Sequence, residues 1–328
     1  MNYRILGKTG FRISEISLGT WQVGGRWGDP FDDRSAERIL NHAIDHGVNF
    51  IDTADVYSDG LSEATVGRVV RARRERVYVA TKCGRRIQPH VNSGYQTSVL
   101  RGFVEDSLRN TGLETIDLIQ LHCPPTEVYY RPEIFSLFDD LKREGKIQNL
   151  GVSVEKVEEA LKAIQYDNVT TVQIIFNMFR QRPSGLFFRE AKERDIGIIA
   201  RVPLASGLLT GKFSRTTTFA EGDHRNFNRE GKAFDKGETF SGIDYETGLE
   251  AVESLRSVFP DNPSLATIAL RWILMFPEVS CTIPGASTLD QLQSNLGASS
   301  QPEISAGQME KVRRIYDEKI RPLVHQLW

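Results

Sequence analysis

The chain has 328 residues, enough for one large α/β barrel or for two domains of ordinary size. It carries 41 Lys and Arg residues against 43 Asp and Glu residues, and this balance argues against a broad basic surface for nucleic acid. No stretch approaches about 18 consecutive apolar residues, and the N-terminal segment lacks an apolar signal core, so neither a membrane span nor a secretory leader is expected.

The cysteines favour a reducing compartment. Cys83, Cys123 and Cys281 form an odd number without a C-x-x-C pair, which is typical of reduced, buried thiols in a cytoplasmic protein. His122 and Cys123 are adjacent but have no second ligand pair at a recognisable spacing, so we expect no metal site.

Apolar runs and helical stripes alternate along the whole chain. An N-terminal hairpin is predicted over residues 3–13, with its turn at 7–10. The predicted core strands are, in chain order, residues 16–20, 49–51, 77–81, 116–121, 147–152, 171–176, 197–200 and 280–283. Helices are predicted between them, including one capped by Ser35, one beginning at Ser62 and one whose stripe runs from Val154 to Ile164.

The order of these elements predicts an α/β fold, a (β/α)8 TIM barrel with an N-terminal β-hairpin and a C-terminal helix. We find no Pro-, Gly- or Ser-rich boundary, so residues 1–328 are predicted to form a single domain. A long loop follows the seventh strand, where residues 206–244 carry many charges and little periodicity. Residues 213–242 are predicted to be mobile in the free protein, since they offer few apolar groups to bury.

Four polar residues stand at or just beyond the ends of successive strands. Asp52 ends the second strand and Tyr57 follows it, Lys82 ends the third, and His122 ends the fourth. Barrels place their chemistry at these strand ends. Tyrosine has a pKa of about 10, so a phenol that acts as an acid needs a nearby cation, and a buried cation needs a carboxylate.

The motifs I-D-T-A-D-V-Y, A-T-K and L-I-Q-L-H, in this order, resemble the aldo-keto reductases. The resemblance covers essentially the whole chain, is to the bacterial branch, and extends to the voltage-gated potassium channel β-subunit branch. It implies that Tyr57 is the general acid and that Lys82, held by Asp52, lowers the pKa of the phenol. It also implies that His122 orients the carbonyl oxygen. The pocket would be lined by Trp21, Trp27, Tyr57 and His122.

The resemblance also implies a dinucleotide, with NADP(H) preferred and NAD(H) as the alternative. No G-x-G-x-x-G motif follows a strand, and the run at 207–212 is too short between its glycines for an NTPase phosphate loop. Ser153 and Gln173 would hold the nicotinamide carboxamide, Arg201 would stack on the ring, and Arg225 is a further cation for the phosphates. The remaining implied contacts are Gly19, Thr20, Trp21, Asp52, Pro203, Leu204, Ser206, Leu208, Gly211, Lys212, Gly285, Ser287, Gln291 and Asn295.

Two functions follow from these residues. The first is an oxidoreductase that transfers a hydride between NADP(H) and an aldehyde or ketone, or the corresponding alcohol. The second is a catalytically slow, cofactor-sensing subunit, and the intact set of four polar residues favours the enzyme over it. A barrel hydrolase or isomerase would leave residues 203–212 unexplained. The partner is expected to be a small molecule, without nucleic acid or membrane.

Overall fold

A barrel of parallel strands forms the centre of the molecule, in a computed structural model that describes residues 1–25, 28–262 and 264–328. The strands of this part of the chain are β1 (Tyr3–Ile5), β2 (Arg12–Ser14), β3 (Leu18–Gly19), β4 (Phe50–Asp52), β5 (Tyr78–Cys83), β6 (Ile116–His122), β7 (Ile147–Ser153), β8 (Val169–Ile175), β9 (Gly197–Arg201) and β10 (Val279–Thr282). Strands β3 to β10 pair in chain order, and parallel bridges from Ile16 to Thr282 and from Gly19 to Gly285 close the ring. The predicted (β/α)8 barrel is confirmed.

The predicted N-terminal hairpin is also confirmed, and it covers one end of the barrel. Strands β1 and β2 pair antiparallel, from Tyr3 opposite Ser14 to Ile5 opposite Arg12. Phe11 stacks on Tyr78, the first residue of β5, with ring centroids 4.3 Å apart. The hairpin therefore lies at the N-terminal ends of the barrel strands and leaves the opposite end for the polar residues.

Helices surround the barrel. Those that the structure describes are α1 (Asp33–Asp45), α2 (Leu61–Ala72), α3 (Thr97–Thr111), α4 (Pro132–Arg143), α5 (Val157–Ala163), α6 (Leu186–Glu193), α7 (His224–Phe227), α8 (Tyr245–Val258), α9 (Leu265–Leu274), α10 (Leu289–Leu296), α11 (Ala306–Ile315) and α12 (Arg321–Val324). Helix α4 shows why they pack, since Ile134, Phe135, Phe138 and Leu141 recur at helical spacing and are all buried. Burying each such side chain contributes about 1.5–3 kcal/mol.

Two predicted helix starts are wrong, and each has a local cause. Asp32, not Ser35, caps α1, because its carboxylate accepts the Arg34 and Ser35 N–H groups at 3.0 and 3.1 Å. Helix α5 begins at Val157 and not at Val154, because the Glu159 carboxylate turns back to accept the N–H groups of Glu155 and Lys156.

The long loop after β9 folds back on itself. Asn228 is fully buried, and its Oδ1 accepts the Ala233 and Phe234 N–H groups at 2.9 and 3.1 Å. Phe240 is buried in the main core. The premise that this loop has too little to bury is therefore wrong. Its mobility stays a prediction.

The predicted C-terminal helix also has its apolar face against the core, through Val312, Tyr316 and Ile320. It is interrupted by one π-helical turn over Tyr316–Ile320, between α11 and α12. Across residues 1–25, 28–262 and 264–328, no helix has both the length and the apolar composition needed to cross a bilayer.

Candidate active site

Three of the four predicted catalytic side chains are joined by direct contacts at the C-terminal end of the barrel. The Lys82 Nζ donates to Asp52 Oδ1 at 2.5 Å, to the Thr53 carbonyl at 2.8 Å and to the Tyr57 hydroxyl at 3.2 Å. Lys82 and Asp52 are almost completely buried. A lysine in this position is stable only because three oxygen atoms surround its ammonium group.

The second carboxylate oxygen of Asp52 is fixed by two glutamines that point into the barrel. Gln120 and Gln173 donate to Asp52 Oδ2 through their Nε2 atoms at 3.0 and 2.7 Å. Gln120 is a residue that the sequence analysis missed. Its signal was present, because side chains two apart in a strand share a face and Gln120 precedes His122 by two.

Neighbouring charges keep Lys82 protonated, and burial keeps Tyr57 neutral. Burial disfavours the ammonium, but Asp52 and Tyr57 outweigh it and raise the pKa of Lys82 above its usual value. Burial likewise raises the pKa of the Tyr57 hydroxyl, and Lys82 only partly opposes this rise. Lys82 thus acts on the phenol pKa in the expected direction, but burial outweighs it and the net pKa of the resting phenol is raised. A phenol that keeps its proton is nevertheless the state that an acid must start from.

His122 completes the group from the end of β6. Its ring meets the Tyr57 ring edge to face, with centroids 6.1 Å apart. Burial and the nearby Lys82 lower the pKa of His122 well below its usual value, so the imidazole is neutral near pH 7. Its Nδ1 atom is buried without a hydrogen-bond partner among the described residues, which fits a site that receives a polar group.

An aromatic wall stands beside these residues. The Trp21 ring lies parallel to Tyr57 at 6.2 Å and to His224 at 5.1 Å between centroids. Phe234 meets Trp21 edge-on at 6.0 Å, so the long loop contributes two rings that the sequence analysis did not name. Trp27, the other predicted pocket residue, lies outside the described residues.

Several predicted cofactor residues come together where the barrel closes. Thr20 donates to the Asp52 carbonyl through both its N–H and its hydroxyl, at 3.0 and 3.1 Å. Gly19 pairs with Gly285, whose carbonyl accepts from Asn295 Nδ2 at 3.2 Å. A Cβ atom on Gly19 would lie 2.7 Å from the Ile283 carbonyl oxygen, so this close approach requires glycine.

The start of α10 holds two more predicted cofactor residues. Gln291 Oε1 accepts from the Ser287 N–H at 2.9 Å and from its hydroxyl at 3.1 Å. Thr288 caps the helix by accepting the Gln291 N–H at 3.2 Å. The N-terminus of a helix favours an anion, which suits the phosphate contact predicted for these residues.

The segment after β9 adopts an unusual backbone. Ala205, Ser206 and Gly207 have φ values of 46°, 55° and 98°, and a Cβ atom on Gly207 would lie 2.8 Å from the Phe213 ring. The Ser206 hydroxyl donates to the Glu238 carbonyl at 2.9 Å and accepts the Phe240 N–H at 3.2 Å, so it ties the segment to the long loop.

The other predicted residues of this segment differ in their surroundings. Leu208 and Pro203 are buried, and Leu204 is half-buried between two core clusters. The Gly211 carbonyl accepts from the Arg256 guanidinium. The Lys212 side chain is exposed, as an available phosphate-binding cation would be.

Arg225 lies over this segment from the long loop. Its guanidinium is paired with the Asp223 carboxylate at 2.5 Å and stands over the Phe219 ring at 4.6 Å. Its Nη1 atom lies 3.6 Å from the point where a Cβ atom on Gly207 would be. The structure thus brings Arg225 to the predicted phosphate segment, although Asp223 offsets part of its charge.

The predicted nicotinamide contacts line one side of the barrel mouth. Ser153 pairs in register with His122 on one side and with Gln173 on the other, and both Ser153 and Gln173 are buried. Arg201 is also buried, and its Nε has no hydrogen-bond partner among the described residues. A buried N–H donor without a partner, next to polar strand ends, fits a ligand that carries acceptor groups. The roles of these three residues stay predictions.

A cluster of charged residues borders the same mouth and was missed from the sequence. Cys123 Sγ and one carboxylate oxygen each from Glu155 and Glu238 lie within 4.8 Å of one another. Arg201 contacts Glu238 at 3.3 Å and Cys123 Sγ at 3.5 Å, and Arg85 contacts Glu155 at 3.5 Å. Two guanidinium groups already contact these atoms, so we interpret the cluster as salt bridges and not as a metal site.

Comparison with known proteins gives the same family for nearly the whole chain. The model of the aldo/keto reductase family matches residues 15–317. The uncharacterized oxidoreductase YqkF of Bacillus subtilis is 28% identical over 98% of this chain and 95% of its own. The aldo-keto reductase yakc [NADP(+)] of Schizosaccharomyces pombe is 25% identical over 93% of this chain and 89% of its own.

A solved structure is similar over the same extent. The glycerol dehydrogenase AKR11B4 from Gluconobacter oxydans superposes with a TM-score of 0.77 and 28% identity, and the match covers 97% of this chain and 96% of that one. The barrel, the buried Asp52–Lys82–Tyr57 contacts and the family match agree, and the chain belongs to the aldo/keto reductase family of oxidoreductases.

Proposed function

We propose that this protein transfers a hydride between NADP(H) and an aldehyde or ketone, or the corresponding alcohol, with Tyr57 as the general acid and base. The observation that carries the proposal is the contact between the Tyr57 hydroxyl and the buried Lys82 ammonium at 3.2 Å. A protonated phenol beside a fixed cation can release its proton and then be stabilised as a phenolate. Lys82 is fixed because Asp52 and the Thr53 carbonyl hold two of its protons.

The reduced nicotinamide supplies the hydride when it is bound. The chain itself supplies the proton, since Tyr57 holds it at its hydroxyl next to the carbonyl oxygen. The neutral His122 would donate a hydrogen bond to the same oxygen and fix its position, and its ring contact with Tyr57 supports this role. In the oxidative direction, the Tyr57 phenolate takes the proton back from the alcohol.

The cofactor would be held by the residues that surround the mouth, with NADP(H) preferred and NAD(H) as the alternative. Glycine backbone at Gly19 and Gly207 leaves room where a side chain would clash. The exposed Lys212, Arg225 over Gly207 and the start of α10 offer positive charge for phosphates. The cofactor named for the relative yakc supports the same choice.

We further propose a single-domain protein that acts in the cytoplasm. The family match extends through one barrel without a break, and all three cysteines are free and buried. Its partner is a small carbonyl compound or alcohol, and a nearly balanced charge of −2 does not favour nucleic acid.

The Tyr57→Phe variant tests the acid role. We expect turnover with an aromatic aldehyde to fall about 10²- to 10⁴-fold, since one general acid contributes that much. The dissociation constant of NADPH should stay close to that of the wild type, because the ring can still pack against Trp21 and His122. Tyr78→Phe, at the opposite end of the barrel, is the control and should retain turnover. A Tyr57→Phe variant that keeps more than about half of the turnover would remove the residue from this role.

A cofactor-sensing subunit is the second candidate. A sensor needs only the cofactor residues. Here the Asp52 side chain and the Thr53 carbonyl hold Lys82 beside Tyr57, and Gln120 and Gln173 fix Asp52 in turn. This arrangement favours the enzyme, and the number of turnovers separates the two candidates.

A further inference from the structure

Two arginines at the mouth of the barrel act electrostatically on His122. Arg85 lies three residues after Lys82 and is four-fifths buried, and Arg201 ends β9. Both guanidinium groups lower the pKa of His122 further, after burial and Lys82, so their positive charge reaches the place where the substrate carbonyl is expected. Neither residue takes part in the proton transfer described above.

The partners of the two arginines differ. Both terminal nitrogens of Arg201 have close partners, since its Nη1 contacts Glu238 at 3.3 Å and its Nη2 donates to the Val154 carbonyl at 3.1 Å, and only its Nε has no partner among the described residues. Among the described residues, Arg85 has a single salt-bridge contact, to Glu155 at 3.5 Å, which is long for a charge-assisted hydrogen bond. Of the two, Arg85 is the cation whose charge is less completely neutralised by its neighbours.

Glu155 is also a weak counter-ion. It faces Arg85, Arg201 and Cys123 on the barrel side and Asp235 and Glu238 on the loop side. Burial and the two acidic loop residues raise its pKa to about 7, so a large fraction of Glu155 is uncharged at neutral pH. The two arginines are then opposed chiefly by Glu238, and a positive charge remains at Arg85.

We propose that Arg85 is a specificity-determining residue that binds the carboxylate of a substrate whose carbonyl group lies between Tyr57 and His122. The protein then favours aldehydes and ketones that carry a negative charge over neutral ones of the same shape. A guanidinium suits this role, since it presents two parallel N–H groups to a carboxylate. The inference rests on the proposed function, because it names the substrate class of that same site.

A matched pair of substrates tests the proposal. The nitro group is planar and similar in shape to a carboxylate but carries no net charge, so 4-carboxybenzaldehyde and 4-nitrobenzaldehyde probe the effect of charge. The nitro group also withdraws electrons more strongly, and this difference cancels because the variant is compared with the wild type for each substrate separately. In the Arg85→Gln variant, kcat/KM for the carboxylate should fall about 10- to 100-fold, chiefly through KM, because one charge-assisted hydrogen bond is lost. The value for the nitro compound should change by less than about 3-fold. Arg85→Lys keeps the charge and should restore part of the loss.

Arg86→Gln is the matched control. Arg86 is the next residue, but it pairs with the exposed Asp59 at 3.2 Å and should affect neither substrate. A direct binding measurement accompanies the kinetics: the affinity of 4-methylbenzoate for the protein saturated with NADP⁺, followed by intrinsic fluorescence. It should weaken in Arg85→Gln and not in Arg86→Gln.

The outcomes separate the two proposals. Turnover of both aldehydes with an unchanged preference in Arg85→Gln would overturn the role of Arg85 and leave the proposed function standing. Absence of turnover in the wild type, with 4-methylbenzoate binding that still depends on Arg85, would overturn the function but support the anion site. Absence of turnover, with binding unaffected by Arg85→Gln, would overturn both.

Discussion

The ionised form of the Asp55 carboxyl group destabilises the folded protein. The residue is fully buried two positions before Tyr57, and neither carboxylate oxygen accepts a hydrogen bond from a described residue. The backbone of Val56 lowers the pKa of Asp55 only slightly. Burial, together with the nearby Glu63, raises the pKa of Asp55 from 3.8 to about 7.

This shift predicts how stability depends on pH. Between about pH 4 and pH 7 the folded protein keeps a proton on Asp55 that the unfolded chain releases, so the free energy of unfolding falls as pH rises through this range. Asp55→Asn removes the titration. We expect the variant to gain stability relative to the wild type as pH rises, by up to about 4 kcal/mol at pH 8.

Urea unfolding of both proteins between pH 5 and pH 8 measures the effect, because all other groups titrate in both and cancel in the difference. Asp59→Asn serves as the control, since the Asp59 side chain is 89% exposed. A stability difference between Asp55→Asn and the wild type that does not change with pH would contradict the buried-acid assignment.

At the level of single residues, the sequence predicted the functional residues at strand ends and missed the charged residues in the loops. Asp52, Lys82 and His122 were predictable because a polar residue at the end of an apolar strand is rarely explained by packing alone. Arg85 and Glu238 were not, because charged residues in loops are usually solvated. Only the folded chain brings Glu238 to Arg201, across 37 residues of sequence.

Among the elements, the long loop between β9 and α8 borders the site. It is tied to the barrel by the Arg201–Glu238 pair and by the Ser206 hydroxyl, and His224 stacks on Trp21. Its central turn is held by Asn228. Loops over a barrel mouth commonly close on a ligand, and such a motion can limit turnover.

We predict that residues 213–242 exchange their amide protons rapidly in the free protein and become protected when NADP⁺ binds. The reason is that most residues of 214–222 are exposed, and a dinucleotide beneath the loop would add contacts to it. Hydrogen exchange with and without NADP⁺ measures this, and α4 is the internal control that should not change. Strong protection in the free protein, unaltered by NADP⁺, would make the loop a fixed part of the scaffold.

The helices also show why the first residue of a helix is harder to predict than the presence of the helix. Periodicity located α1 and α5 correctly as helices. Their first residues depend on which side chain reaches back to the backbone, and several neighbours could do so. Asp32 takes that role at α1 and Glu159 takes it at α5.

For the whole molecule, the fold was predictable because eight strand–helix units without a linker leave few arrangements. The barrel then collects Asp52, Lys82, Gln120 and Gln173 from four strands into one hydrogen-bonded group. The charge cluster at the mouth was beyond sequence reasoning, because its members come from four strand ends and a loop whose path has no periodic signal.

The predicted cofactor contacts extend across the whole mouth, from Gly207 and Lys212 to Ser287 at the start of α10. We therefore expect NADPH to bind more tightly than NADH, by about 10-fold or more, since an additional phosphate gains charge-assisted hydrogen bonds. Titration of the intrinsic fluorescence with each dinucleotide measures the two affinities. Equal or reversed affinities would contradict the preference for NADP(H).

We propose that the buried Asp52–Lys82–Tyr57 group makes this chain an oxidoreductase with multiple turnovers. The most direct test is the number of NADPH molecules that each protein molecule oxidises when NADPH and 4-nitrobenzaldehyde are both in large excess, followed by the absorbance of NADPH. We predict continuous oxidation of many equivalents, at a rate on the order of 1 s⁻¹ or more. Oxidation that stops after a single equivalent would contradict the claim and identify a cofactor sensor instead.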